Sequence, residues 1–486
     1  METTNSTMGA KPAPAQQSGE ATKKSRYITW TALALMTVAS VASLRAAPTM
    51  AMYGLSAVFL YIFPAIIFLL PTSLVAAELA SGYDGGVYNW VTRGISAPLG
   101  FLAVWCQFAM TIFYYPSLLA FVASTLAFVI NPNLANSGLY NAVMIIGLYW
   151  IGVWISSRGM EGLAGLASSG LLIGTLIPGA FLVILGVVFL FQGNPSAAPM
   201  DAAHILPPWA GIASLVLIVN NFLSYSGMEM NAVHVSDLRN PGKEYPKSMF
   251  LAMGLVLVVF IFPALAISWV IPAESISLTA GVMQAFQGFF AQFRIEFLTP
   301  VLALMIISAS LAGMLTWLAG PSKGLLLISR KEGYLPPHFQ KLNKQGIQQN
   351  ILVAQGVVTT IIALLYAFVP DVSSVYWVFS VMTTQVYLIM YLLMFVAAVQ
   401  LRRKEPDHPR GFRAPALVFL CIVGLLASAA AFLVGFVPPS QFGGGSPWTY
   451  VFIVGGGVLF IGIVIPFLFY YFRKPSWKTA DAGPKE

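Results

Sequence analysis

Three ionisable residues stand inside otherwise apolar stretches of this chain: Arg45 in "VASVASLRAAPTM", Glu78 in "VAAELASG" and Glu229 in "SYSGMEMNA". A charge in a bilayer costs from a few kcal/mol upward, so such a residue pairs, faces a watered cavity or acts on a substrate or ion. Arg45 carries a planar fork of donors that suits a carboxylate. It follows the small residues Ala42 and Ser43 and stands three positions before Pro48. Two roles are open for it: tying down free carbonyls or pairing with Glu229, or facing a cavity and binding the side-chain carboxylate of an acidic ligand. Glu229, two positions past Gly227, either holds an interrupted helix together or titrates during a working cycle. Glu78 either caps the loop that follows or pairs with a loop cation, or it carries a proton.

The elements that must position these residues are membrane helices. Apolar residues make up 58% of the chain and charged ones 9%, against about 25% charged in an ordinary soluble domain. A span needs about 20 largely apolar residues. Twelve stretches qualify, near 28–57, 58–80, 98–130, 139–157, 162–192, 209–235, 248–271, 297–320, 351–369, 374–400, 414–437 and 448–472. Their short connections describe one polytopic domain. With the N-terminus in the cytoplasm, all 25 Lys and Arg except Arg45 and Arg294 fall in cytoplasmic tails and loops. That asymmetry is the mark of orientation in a membrane, so the net charge of +8 reports topology and not a nucleic-acid partner. Residues 1–26 read as a disordered cytoplasmic tail with no cleaved signal peptide, and 474–486 as a second, short cytoplasmic tail.

Two spans carry helix-weakening residues at depth. The first has Ala39, Ser40, Ala42, Ser43 and then Pro48; the sixth has Ser224, Ser226 and Gly227. Either alone reads equally as a notch for close helix packing. Spans one and six are five apart, so they cross in opposite directions, and paired interruptions in two inverted halves point to a transporter site. Half-helices that start at a break offer free N–H groups and those that end there offer free carbonyls. A zwitterion with one carboxylate and one ammonium satisfies both.

At these residues the chain resembles the amino acid–polyamine–organocation superfamily, and within it the glutamate/γ-aminobutyrate antiporter family. The resemblance runs from about residue 28 to 472. It is carried by "SLVAAELASGYDGGVYNWV", "LSYSGMEMNAVHVSDLRNPGKEYPKSM", "IPAESISLTAGVMQAF" and "WLAGPSKGLLLISRKEGYLPPHFQKLNKQG". It implies an all-α membrane protein of twelve helices with a leucine-transporter-type fold. A five-plus-five inverted repeat would occupy 27–400, with helices 1 and 6 interrupted and two further helices in 401–473. It implies alternating-access exchange, or proton-coupled transport, of amino acids across the cell membrane. By position, Ala42, Ser43 and Leu44 would hold the substrate α-carboxylate through backbone amides, and Tyr225, Ser226 and Gly227 would receive the α-ammonium through carbonyls. Tyr114, beside Phe113 and Tyr115, and Tyr387 and Tyr391 would wall or gate the pocket, and Glu229 would couple or gate. The preference of that family for glutamate-like substrates favours a substrate-binding Arg45; a proton-coupled carrier of neutral amino acids or amines is the alternative.

Three departures qualify the resemblance. Where some relatives carry a sodium-replacing lysine in helix five, this chain has "LASSG" around Ser168. Gly313 stands where the acid-resistance antiporter has an acidic residue in helix eight, and the chain ends too soon after the last span for that antiporter's C-terminal plug. Two cysteines in apolar spans and four scattered histidines support no metal site, disulfide or cofactor, and "FGGGSPW" lacks the ending of a phosphate loop. An embedded enzyme would need a nucleophile with a base, or paired carboxylates within reach. Only Arg45, Glu78 and Glu229, beyond tyrosines and cysteines, are ionisable there. The expected partners are therefore an amino acid, the lipid bilayer and protons, with no obligatory protein partner.

Overall fold

The computed structural model describes residues 27–159, 170, 172–441 and 446–479, and among these the chain forms helices and no strand. The N-terminal tail expected at 1–26, and Ser168 and Ser169, lie outside the described residues. Among the described residues ten helices are long and apolar enough to cross a membrane, and a bent pair, Trp30–Val41 with Leu44–Ala51, taken as one span makes an eleventh.

Local signals set where these helices begin and end. Helix α1 (Trp30–Val41) starts on Thr29, whose hydroxyl accepts the Ala32 N–H at 3.2 Å, a normal N-cap. It stops at Ala42 and Ser43, both extended. A single 3-10 turn, Leu44–Ala46, leads into α2 (Ala47–Ala51), and the two halves of the span are bent by 46°. Pro48 sits in the first turn of α2, where its missing N–H costs nothing. It therefore opens the second half of the span and does not cause the break, which lies at Ala42 and Ser43.

The second span ends in α3 (Leu70–Gly82), followed by the short amphipathic α4 (Gly86–Gly94). Next comes the 34-residue α5 (Ala97–Ile130). The sixth expected span is present only as short pieces, α6 (Val219–Tyr225) and α7 (Met228–Asn231). Neither is long enough to cross a membrane alone. Between them Ser226 is extended and Gly227 has φ 102°, a left-handed conformation open to glycine at little cost. Beyond lie α8 (Thr299–Glu332), α9 (Val372–Lys404) and α10 (Leu417–Val434). Gly333 ends α8 at φ 76° with Arg330 and Lys331 in the last turn, and Asp371 caps α9 by accepting the Ser373 and Ser374 N–H groups.

Helices α5 and α9 form the centre. In each, 78% of the most apolar stretch is buried within the protein, against 22% for the last span, Pro447–Phe472. The second interrupted span packs against this centre, with α6 lying along α9 and on the turn Leu44–Ala46, whereas the first packs chiefly against the helix Pro241–Val270.

Candidate functional site

The two breaks present different chemistry. At the second, the Glu229 side chain turns back on its own helix start. Its Oε2 accepts the Gly227 N–H at 3.1 Å and the Tyr391 hydroxyl at 2.5 Å, while Oε1 accepts the Tyr387 hydroxyl. The Gly227 N–H is shared with the Tyr391 oxygen at 2.9 Å. Tyr387 and Tyr391 lie one turn apart on α9, so that helix supplies both hydroxyls from one face. A carboxylate at a helix start is stabilised by the free N–H groups there. Here it also bridges the break to α9.

At the first break, Arg45 is 7% exposed. Its Nη1 donates to Ser117 Oγ on α5 at 3.0 Å. Its guanidinium lies 5.1 Å from the Tyr114 ring centre and 5.8 Å from that of Tyr376. The Tyr376 hydroxyl reaches the Arg45 carbonyl at 3.5 Å. Among the described residues no carboxylate lies within 4 Å of Arg45. The Arg45–Glu229 ion pair considered from sequence is therefore not made. The reason lies in the partners: aromatic faces and a hydroxyl from α5 and α9 hold the guanidinium, and tyrosine hydroxyls satisfy the carboxylate.

One residue missed from sequence links the two ends. Trp317, on α8, has Cζ2 3.3 Å from where a Cβ on Gly227 would sit. Its ring centre lies 5.9 Å from that of Tyr114 and 6.4 Å from that of Tyr387. Arg45, Tyr114, Trp317, Tyr387 and Glu229 thus form one continuous series of contacts. Trp317 opens the "WLAGPSKG" motif, and an aromatic beside small residues on a helix was the available signal.

The remaining predicted residues divide. Ala42 and Ser43 are the extended residues of the break, and Ser43 Oγ accepts the Arg45 N–H at 3.3 Å. Leu44 is buried and approaches Gly179 of the neighbouring helix Ile177–Phe191. Tyr225 turns its hydroxyl to the Tyr61 carbonyl at 2.8 Å, and Ser226 turns its own to the Phe222 carbonyl at 2.7 Å. Tyr115 packs between Tyr149 and Tyr114, with ring centres 5.3 and 5.9 Å from its own.

Glu78 lies elsewhere. Its carboxylate receives Arg402 through both Nε, at 2.6 Å, and Nη2, together with Arg410 Nε at 3.4 Å and the Ala414 N–H at 2.7 Å. The end of α3 is thereby fixed to the end of α9 and the loop that follows it. Ser308 and Ser310 direct their hydroxyls to carbonyls of α8 itself. Among the described residues no group of three His, Cys, Asp or Glu is placed to hold a metal. A pocket of about 470 Å³, lined by Met52, Glu274, Asp371 and Gln441 among others, opens at the far end of α2.

Comparison with known proteins identifies the family. The chain is 36% identical over 444 residues to an uncharacterized transporter of Legionella pneumophila, covering 90% of this chain and 95% of the relative. It is 27% identical over 446 residues to glutamate/γ-aminobutyrate antiporters of two Lactococcus lactis strains, covering 90% of this chain and 88% of each. The family profile for amino acid permeases matches residues 28–459. A multi-pass bundle with interrupted helices, and relatives that are transporters and not enzymes, lead to one assignment: the chain belongs to the amino acid permease family of the amino acid–polyamine–organocation superfamily and is an amino-acid transporter.

Proposed function

We propose that this protein is a secondary active exchanger that takes a glutamate-like amino acid on one side of the cell membrane and a related amino acid or amine on the other. The observation that carries the proposal is Arg45, a buried guanidinium beside a helix break with no carboxylate partner among the described residues. A buried charge needs a partner, and a substrate carboxylate supplies one while bound. The α-carboxylate would meet the backbone at Ala42, Ser43 and Leu44, the α-ammonium the carbonyls at Tyr225, Ser226 and Gly227, and the side-chain carboxylate Arg45. Tyr114 and Trp317 would pack on the apolar stem.

In this reading the chain spans the membrane twelve times with both termini in the cytoplasm. Residues 27–400 form a leucine-transporter-type inverted repeat and 401–473 add two helices. The pocket at Met52, Glu274 and Asp371 is then an outer vestibule. Tyr387 and Tyr391 gate the site, since they tie α9 to the second break through Glu229.

A second reading, proton-coupled uptake of neutral amino acids or amines, draws on Glu229, which has no cationic partner within 4 Å among the described residues. Uptake of labelled amino acids into proteoliposomes separates the two. Exchange predicts uptake only when substrate is preloaded inside, without need of a pH gradient. Uptake into empty vesicles that follows an imposed pH gradient overturns exchange.

A further inference from the structure

We propose that a water molecule is permanently bound between α5 and the two helices behind it, Gly138–Ser156 and Gln349–Ala363, and is held by Tyr115, Gln355 and Thr359. The three helices pack on one another. At one level α5 and Gln349–Ala363 are joined directly: Gln355 Nε2 donates to Thr111 Oγ1 at 2.6 Å, and Thr111 donates to the Phe108 carbonyl at 2.6 Å. These two helices run in the same sense, since Tyr366, further along the chain from Gln355, reaches the carbonyl of Pro116, further along from Thr111. One turn beyond the Gln355–Thr111 pair, Tyr115 on α5 therefore stands level with Thr359. Tyr149 closes the space from the third helix. Its ring centre lies 5.3 Å from that of Tyr115, and its Cε1 lies 2.8 Å from where a Cβ on Gly356 would sit.

Three polar groups at this level are buried, and none has a hydrogen-bond partner among the described residues: the Tyr115 hydroxyl, Gln355 Oε1 and the Thr359 hydroxyl. Thr125, Thr383 and Thr384, on α5 and α9, each turn the hydroxyl back to the carbonyl four residues earlier. Thr359 does not. Buried polar groups are satisfied by protein or by ordered water, and a buried water makes about three hydrogen bonds. The donors and acceptors match one water, which accepts from Tyr115 and donates to Gln355 Oε1 and to the Thr359 oxygen. The cluster holds no carboxylate, so a cation would find no charge there to offset its own desolvation. Tyr114, beside Tyr115 on α5, lies against the Arg45 guanidinium and Trp317. The water thus sits behind the wall of the candidate site and ties α5 to the two helices at its back.

The test is radiolytic hydroxyl-radical labelling of the purified protein, read residue by residue by mass spectrometry. Radicals made from a bound water attack the side chain beside it, so a tyrosine closed off from solvent is labelled only where a water rests on it. Tyr225 is the control: it is as fully buried as Tyr115, but its hydroxyl is satisfied by the Tyr61 carbonyl at 2.8 Å. In the native protein Tyr115 is expected to label several-fold faster than Tyr225. After rapid mixing into oxygen-18 water, its label should change isotope later than that of the exposed Tyr27. Gln355→Leu, and separately Thr359→Val, should bring Tyr115 down toward the Tyr225 rate and leave Tyr27 unchanged. Equal labelling of Tyr115 and Tyr225 in the native protein overturns the proposal, because the Tyr115 hydroxyl is then bonded directly within the protein. Native labelling of Tyr115 in a folded Gln355→Leu variant overturns it as well. So does a melting temperature that sodium raises over potassium in the native protein but not in that variant, which makes the site an ion site. The comparison of two tyrosines in one native sample needs neither a variant nor a substrate, so a wrong assignment of the transported species leaves it intact.

Discussion

Replacing Arg45 with alanine separates a substrate ligand from a structural cation. The guanidinium holds one hydrogen bond to Ser117 and lies against Tyr114 and Tyr376, contacts worth about 0.5–2 kcal/mol together. No carboxylate is orphaned by its removal, so stability should fall by less than about 2 kcal/mol, below the ~3–5 kcal/mol of a broken buried ion pair. A charge-assisted hydrogen bond to a substrate carboxylate contributes about 1.5–3 kcal/mol, which converts to a roughly 10- to 150-fold loss of apparent affinity. Arg45→Lys recovers little, because one ammonium cannot reproduce the fork. The assay is exchange of labelled glutamate into glutamate-loaded proteoliposomes across a concentration series, beside a thermal melt of the same preparation in detergent. An alanine variant that exchanges glutamate with native apparent affinity, or a melt that collapses as far as the transport does, refutes the reasoning. Arg45 is then structural, and the substrate is a neutral amino acid or an amine.

Gly227→Leu should abolish transport while leaving the protein in the membrane at native amounts. A side chain at φ 102° is strained, and its Cβ starts 3.3 Å from Trp317; native transport by this variant places the site elsewhere. Glu78→Ala leaves Arg402 and Arg410 without their carboxylate, so it should lower stability by about 3–5 kcal/mol with little change in the apparent affinity of the folded fraction. A native melting temperature with lost exchange instead assigns Glu78 to a proton path. Transport should be indifferent to replacing sodium with potassium, since no acidic residue stands in the expected spans five and eight; uptake that collapses in potassium identifies a sodium-driven carrier.

Much of the framework was legible in the sequence because its signals are local. Apolar runs of span length mark membrane helices, since each residue answers to the bilayer independently of its neighbours. Ala42, Ser43, Ser226 and Gly227 marked the breaks, and the chain is extended or left-handed there, because small residues and glycine weaken a helix wherever they fall. Pro48 was less informative than its reputation, since a proline in the first turn starts a helix as readily as it stops one.

What the tertiary structure decided was which groups meet. Arg45 and Glu229 looked like complementary charges, yet the first lies against Ser117, Tyr114 and Tyr376 and the second against Tyr387 and Tyr391. Glu78 found Arg402 and Arg410 across more than 300 residues of chain, and Trp317 joined the site from a helix that no ionisable residue had marked. Hydropathy and helix propensity act over one or two turns. Side-chain partners depend on how the long central helices α5 and α9 pack and rotate, which no local pattern encodes.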